Sequence, residues 1–279
     1  MKALARTLGW VLLAGLLLQL YFMARIGLMR VVDPQSTAFQ RSEMVQVTLQ
    51  GKMAWSQQWV PYENISDNLK RAVIASEDGG FLEHEGIDWD AIEEARTRNA
   101  AAAAQAQKKQ ERLDQRQKQV QERAQRRIER LQKQGKPIDP ALQAAASGAS
   151  APPPVSAKVV GASTISQQLA KNLLLSGERS LFRKGQEVLL TYYLEWFLGK
   201  RRILEIYLNN VEWGQGIFGA EAAARYYFHK PAAQLSASEA ARLAVMLPRP
   251  KFFEGNMRSG YLASRAGTIA GWMQGVEIP

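Results

Sequence analysis

The 279-residue chain has no cysteine, which excludes disulfides and thiolate metal sites. Its only imidazoles are His84 and His229, too few and too far apart in sequence for a histidine-rich metal centre. No nucleic-acid-binding motif accompanies its net charge of +10. That charge is unevenly spread: Lys108 to Lys136 holds eleven Lys/Arg against four Asp/Glu, a local excess of +7. Outside this stretch the chain is only mildly basic, so the charge does not support a nucleic-acid partner.

Charge is also missing from Thr7 to Ala24, where Gln19 is the one strongly polar residue. As a helix this run spans roughly 27 Å, close to the thickness of a hydrocarbon core. Trp10 and Tyr21 sit near its ends, as in interfacial aromatic belts. Lys2 and Arg6 precede it and Arg25 and Arg30 follow, so charge does not set its orientation. A cleaved signal peptide is the main alternative, but no small-x-small cleavage site follows and the run is long for such a segment. An uncleaved anchor is expected.

Beyond the anchor, Val31 to about Pro61 reads as a connector with extended pieces, and Met44-Val45-Gln46-Val47-Thr48-Leu49 alternates as a strand would. Asn68–Ser76 reads as a helix that delivers Glu77 at its end, and Trp89–Asn99 as another. From about residue 100 to 157 the composition changes. An Ala/Gln run gives way to Lys, Arg, Gln and Glu, then to Ser147-Gly148-Ala149-Ser150-Ala151-Pro152-Pro153-Pro154. Leu113, Val120, Ala124, Ile128 and Leu131 fall within about 80° of helical arc. Two readings stay open here: an exposed helical arm with a flexible Pro-rich linker, or disorder throughout.

After Gly161 the chain reads as mostly helical. Thr164 and Gln167 have capping-box spacing, which starts a helix there. Arg183–Lys200, Arg202–Leu208, Glu221–Phe228 and Ala237–Leu247 follow, with a glycine-punctuated loop at Gly214, Gly216 and Gly219. The fold class expected is therefore mainly α.

The groups able to do chemistry are few. Glu77 stands at a helix end before Asp78 and a Gly-Gly turn, which can aim a carboxylate into a cleft. From spacing alone an ordinary surface Glu-Asp pair is the plainer reading. Glu187 lies four residues after Arg183 and three after Lys184, either a stabilising ion pair or a carboxylate held among cations that also bind phosphate. Ser163, Gln167, Gln168 and Lys171 surround a helix N-terminus, where free N–H groups, hydroxyls and a cation suit an anionic or sugar ligand; a simple cap is the plainer alternative. Arg179 adds a cation. His84 reads as a hydrogen-bonding strut rather than a proton shuttle.

Two blocks carry a resemblance. Glu77-Asp78-Gly79-Gly80-Phe81-Leu82-Glu83-His84-Glu85-Gly86 and Gly161-Ala162-Ser163-Thr164-Ile165-Ser166-Gln167-Gln168-Leu169-Ala170-Lys171-Asn172 resemble the first two motifs of the peptidoglycan glycosyltransferases, glycosyltransferase family 51. Arg183-Lys184-Gly185-Gln186-Glu187 is similar to the third, Ile203 through Asn209 to the fourth, and Trp213 through Ala224 with Tyr227-Phe228-His229-Lys230 to the fifth. Ser238 through Pro248 resembles the family's closing helix. The likeness covers about residues 62–99 and 158–253. Gln186 stands where many relatives have lysine, and about fifty extra residues separate the first two motifs.

The resemblance implies a lysozyme-like glycosyltransferase domain over residues 31–279, interrupted at about 100–157 by the basic insertion. Residues 1–30 would be a cytoplasmic tip and single transmembrane anchor in a bacterial inner membrane, with the catalytic domain periplasmic. No Ser-x-x-Lys tetrad occurs, so no transpeptidase is expected. The implied reaction polymerises lipid II with release of undecaprenyl pyrophosphate. Glu77 and Glu187 are its catalytic candidates; Ser163, Gln167, Gln168, Lys171, Arg179, Arg183 and Lys184 are its substrate-binding candidates. A divalent cation such as Mg is compatible, though no ligand set is visible. Expected partners are lipid II, the growing glycan strand, the bilayer and other cell-wall synthesis or division proteins. A muramidase or lytic transglycosylase is the rival enzyme, and a non-enzymatic scaffold acting through the basic arm is the rival of another kind.

Overall fold

The computed structural model describes residues 2–49, 55–149, 153–157, 159–175 and 180–279. In chain order its helices are α1 (Lys2–Leu28), α2 (Ala38–Leu49), α3 (Asp67–Glu77), α4 (Trp89–Lys133), α5 (Pro140–Ser147), α6 (Ile165–Leu174), α7 (Leu181–Asn210), α8 (Ala220–Phe228), α9 (Ala237–Met246), α10 (Pro250–Glu254) and α11 (Gly260–Trp272). Strands β1 (Ser56–Gln57), β2 (Glu212–Gly214) and β3 (Ile217–Phe218) form one small sheet in the order β1-β3-β2, with β1 parallel and β2 antiparallel to β3. The chain is mainly α, as expected, and fits a lysozyme-like fold. It separates into two compact units, Met1–Asp88 with Ser163–Pro279, and Trp89–Ala162.

In the first unit, α3, α9 and α11 pack on one another and α6 packs on α7. Trp213, Tyr207 and Phe81 are fully buried in one core cluster with Leu69, Ile74, Ile165 and Leu169, and Phe218 is fully buried against Trp55 and Phe39. Each side chain of that size contributes roughly 1.5–3 kcal/mol on burial. Gly199, at φ 70°, breaks α7 into two helical stretches. Early in the second stretch, Arg202 donates to the Met29 carbonyl and pairs with Asp33 at 2.6 Å. These bonds dock the chain leaving α1 onto α7. Gly27 faces Phe197 there.

α1 is long and apolar enough to cross a membrane, with a mean hydropathy of 1.9 over its best window. Phe22 and Ile26 are its buried residues, whereas its leucines are exposed. An apolar helix that leaves its leucines uncovered is unlike a soluble core helix.

One expectation is overturned. Met44–Leu49 is helical, not a strand, because Thr37 and Gln40 form a reciprocal cap at the start of α2. The Gln40 N–H donates to Thr37 Oγ1 at 3.0 Å, and the Thr37 N–H donates to Gln40 Oε1 at 2.8 Å. This T-x-x-Q signal outweighs the short alternation downstream.

The second unit is a hairpin built on α4, whose 45 residues extend roughly 68 Å. From 102 to 131 every position that is not exposed lies on one seam: 102, 106, 110, 113, 117, 121, 124, 128 and 131. The mean step is that of an α-helix, so the seam runs straight along one side. Leu113, Ala124, Ile128 and Leu131 of the expected apolar stripe are on it, while Val120 at its edge stays exposed. α5 packs back along the seam, and Gly148 meets the Gln117 and Gln121 amides. Val155 then donates to Gln110, and Val160 exchanges two bonds with Asn99 at 2.8 and 2.9 Å. The described part of this region is thus a helical hairpin of α4 and α5.

Candidate active site

In the first unit, the first, second and fourth sequence motifs meet at the end of α3. Asp78 caps that helix, and its carboxylate makes two ties. Oδ2 accepts from the Ile165 N–H at the start of α6, and Oδ1 accepts from His84 Nε2, both at 2.9 Å. His84 Nδ1 accepts from the Gly86 N–H at 3.1 Å, so the ring carries its proton on Nε2. The imidazole is a strut, as its place in the sequence suggested. Gly86 has φ +91°, and a Cβ there would come within 2.7 Å of Thr191 and 2.9 Å of Glu195. Thr164 Oγ1 donates to the Gly86 carbonyl at 2.6 Å, closing the loop onto α6.

These ties bear on the α6 N-terminus, where a ligand site with free N–H groups and a simple cap were both open. Asp78 accepts from the Ile165 N–H, and Thr164 and Gln167 form the capping box their spacing indicated. A carboxylate at a helix N-terminus is favoured by the dipole, and here it belongs to the protein. Gln167, expected among the substrate-binding groups, is buried with its carboxamide turned into the cap. Ser163 is exposed just ahead of the helix.

Glu77 is half-buried, and its carboxylate accepts from Ser76 and Gln168. Burial pushes its pKa above the ordinary carboxylate value, opposed by hydrogen bonds from Gln168 and Ser76. Asp78 raises it further and Arg265 lowers it. Gln168 Nε2 donates to Glu77 Oε2 at 3.0 Å, and Tyr207 Oη donates to Gln168 Oε1 at 2.8 Å. The Glu77 carboxylate, which only accepts when ionised, sets which end of the amide faces it, and the Tyr207 phenol donates to the amide oxygen left on the other side. Tyr207 is fully buried, which holds its phenol protonated well above the usual range. Motifs one, two and four are thereby joined in one chain of bonds.

Gln168 is also part of the wall of a cleft of about 680 Å³, together with Lys171, Arg183, Glu43 and Glu212. On one side Glu187, buried at 4% exposure, accepts from Arg183 Nη1 at 3.1 Å and Lys184 Nζ at 2.5 Å. Burial lowers the Lys171 pKa most; Glu187 opposes this and the Arg183 and Lys184 charges add to it. Arg183 Nε is buried without a partner among the described residues. Three cations thus stand around one carboxylate, an excess of positive charge beside the cleft. Arg179, the remaining expected cation, lies outside the described residues.

Glu212 on β2, a cleft residue the sequence did not single out, is buried with its pKa pushed up to about 7. Burial is the main cause; Lys251 opposes it at 3.6 Å, and Glu43 and Glu254 add to it. Lys251 bonds Glu43 more closely. Arg265 on α11 and Tyr207 were likewise missed as neighbours of Glu77. No group of three or more His, Asp or Glu suited to a metal ion occurs among the described residues.

Comparison with known proteins gives a consistent picture. The family model described as Transglycosylase matches residues 43–125 and 138–274. A biosynthetic peptidoglycan transglycosylase of Janthinobacterium sp. (strain Marseille) is 44% identical over 286 residues, covering 100% of both chains. The protein of that name from Herminiimonas arsenicoxydans is also 44% identical over 100% of both chains. The one from Bordetella pertussis is 40% identical, covering 100% of this chain and 99% of its own.

Proposed function

The chain belongs to the transglycosylase family, and from that premise we propose that it is a peptidoglycan glycosyltransferase acting on lipid II. The acceptor's N-acetylglucosamine 4-hydroxyl attacks C1 of the donor N-acetylmuramic acid with inversion. A bond forms between O4 and C1, the bond from C1 to the pyrophosphate oxygen breaks, and undecaprenyl pyrophosphate leaves. Glycan strands for the cell wall are the product.

A sugar hydroxyl is a weak nucleophile, and Glu77 takes its proton as the new bond forms. A carboxylate whose pKa is raised by burial is a stronger base than an exposed one. Gln168 aims that carboxylate, and Tyr207 holds the Gln168 amide in the productive orientation. The leaving pyrophosphate needs charge stabilisation more than a proton. Lys171, Arg183 and Lys184 supply it, with Arg179 as a further cation, and Glu187 keeps the cluster together. A hydrolase of the lysozyme kind has no use for such a cluster, since its leaving group is an alcohol. A divalent cation such as Mg would arrive on the pyrophosphate; every step above runs through the chain's own side chains.

α1 serves as a single-pass anchor in the bacterial inner membrane, with the catalytic unit on the periplasmic side. Anchoring keeps the site beside a lipid-linked substrate and raises its effective concentration.

The observation that carries this reading is the half-buried Glu77, hydrogen-bonded to a glutamine of the cleft that Lys171 and Arg183 also line. The deciding experiment is polymerisation of lipid II by the purified chain and by Glu77→Gln. Loss of polymer with an unchanged thermal transition supports the base assignment. Near-native turnover in the variant rejects it, and hydrolysis of finished glycan in place of polymerisation rejects the reaction class.

A further inference from the structure

The basic residues of α4 are not scattered around the helix. At 100° per residue, Lys109, Arg112, Arg116, Arg123, Arg127 and Arg130 fall within about 60° of arc. The stripe runs roughly 32 Å along the helix. The acidic residues of the same stretch, Glu111, Asp114, Glu122 and Glu129, group together well around the helix from it. The half-buried seam that holds α5 is a third sector, so the hairpin leaves the basic stripe uncovered. All six of its side chains are exposed.

Those charges also lack internal partners. The first turns of α4 pair Glu94 with Arg98 and Glu93 with Arg96. Between residues 108 and 133 no ion pair occurs among the described residues, although Glu122 with Arg126 and Glu129 with Lys133 have the i,i+4 spacing that would allow one. Gln107 and Gln110 bond Glu111 and Asp114 instead. Arg123, Arg126, Arg127 and Arg130 border a recess of about 500 Å³ on the exposed surface. Like charges packed this closely repel one another, and the arrangement gains free energy only when an external anion is supplied.

We propose that this stripe is a docking surface for the anionic headgroups of a lipid bilayer. Six cations on one straight helix match a flat, laterally fluid array of phosphates. No aromatic residue is interleaved with them to stack on bases, and between the cations the stripe carries glutamine rather than groups that read a particular shape. The acidic sector favours one rolling orientation, facing away from a negative surface. The proposal rests on the anchor reading of α1, which tethers the chain to a bilayer. Each basic residue close to an anionic leaflet adds to the attraction, and salt weakens it.

The test uses the full chain, whose lack of cysteine allows Gln119→Cys, between Arg116 and Arg123, to carry one fluorophore. The labelled protein is mixed with vesicles of phosphatidylcholine alone, or with about one-third phosphatidylglycerol, each holding a headgroup energy acceptor. Transfer to the acceptor should be at least about fivefold greater with anionic lipid and should collapse in high salt. Changing the six stripe residues to Gln, which preserves helix propensity, should abolish the difference. Changing the five arginines to Lys should retain it, because a bilayer reads point charge. Flotation with neutral vesicles reports the α1 anchor separately. A chain that floats with neutral lipid yet transfers equally in both vesicle types keeps the anchor and overturns the arm. A chain that floats only with anionic lipid overturns the anchor and supports the arm. Binding to polyglutamate or duplex DNA with no response to anionic lipid overturns the proposal in favour of a soluble polyanion.

Discussion

Around Glu77, and along α4, this chain handles polar side chains in opposite ways. Near Glu77 they are internal and paired: Asp78 holds two donors, Gln168 bridges Tyr207 to Glu77, and Glu187 gathers two cations. Along α4 from residue 108 to 133 the charges are exposed and none forms an ion pair among the described residues. Bonded networks in a low-dielectric interior fix geometry, because leaving any member unsatisfied costs about 1–3 kcal/mol. Exposed charges fix no geometry and act on whatever approaches. Precision sits in the first region and long-range attraction in the second.

The largest effect should come from breaking the first region at its centre. Glu77→Gln should lower lipid II polymerisation by at least about 10³-fold while the melting temperature stays within a few degrees. Lys171→Ala should lower kcat/KM by about 10²-fold, through loss of charge beside the departing pyrophosphate. Arg183→Ala should do likewise and also loosen Glu187. Steady-state kinetics with varied lipid II separates the two, and unchanged donor use in both variants removes them from the phosphate site.

Glu212 tests whether burial without a full complement of bonds is a liability in the same region. Its folded pKa, about 7, lies above the ordinary value of 4.5. The folded state therefore binds more protons between those pH values, and stability falls as pH rises through the window. Glu212→Gln removes this dependence. It should stabilise the protein by about 2 kcal/mol at pH 8 and by little near pH 4.5, read from denaturant melts at both. Equal effects at the two pH values would contradict the assignment.

A finer cut is Tyr207→Phe. The variant deletes the one hydrogen bond to the Gln168 amide oxygen, loosens the side chain that donates to Glu77, and should reduce polymerisation by about fivefold. Gln168→Leu removes a bond that lowers the Glu77 pKa. The acid limb of the rate profile should then move to higher pH.

How much of this was legible in the sequence depends on distance along the chain. The α6 cap, the α3 helix and the helical potential of α4 are local, and local patterns show them. The α2 cap was equally local, at Thr37 and Gln40, and was obscured by six alternating residues downstream. The motifs named Glu77, Gln168 and Lys171, yet nothing in the sequence shows that Tyr207 reaches Gln168 or that Arg265 approaches Glu77. Those relations exist only after α3, α6, α7 and α11 pack. The same holds at the α6 N-terminus: its Thr164–Gln167 cap is local, but that Asp78, far earlier in the chain, accepts from the Ile165 N–H is set only by packing.

The smallest effect on chemistry should come from removing the second region. Asn99 and Val160 exchange two hydrogen bonds, so the two ends of the arm lie side by side and a few residues can join them. Joining short-range ends adds little loop entropy. The seam within the arm is largely alanine and glutamine, so its loss forfeits little apolar burial outside the hairpin itself. Replacing about Ala103–Pro154 with a short Gly/Ser linker should therefore leave polymerisation within about twofold of the intact chain when the substrate is supplied in detergent. A folded but inactive deletion would show that the arm takes part in the reaction, and the contrast between the two regions would fail. A deletion that does not fold would show that the hairpin is part of the core rather than an insertion. Full activity together with lost response to anionic lipid would assign chemistry to one region and bilayer attraction to the other.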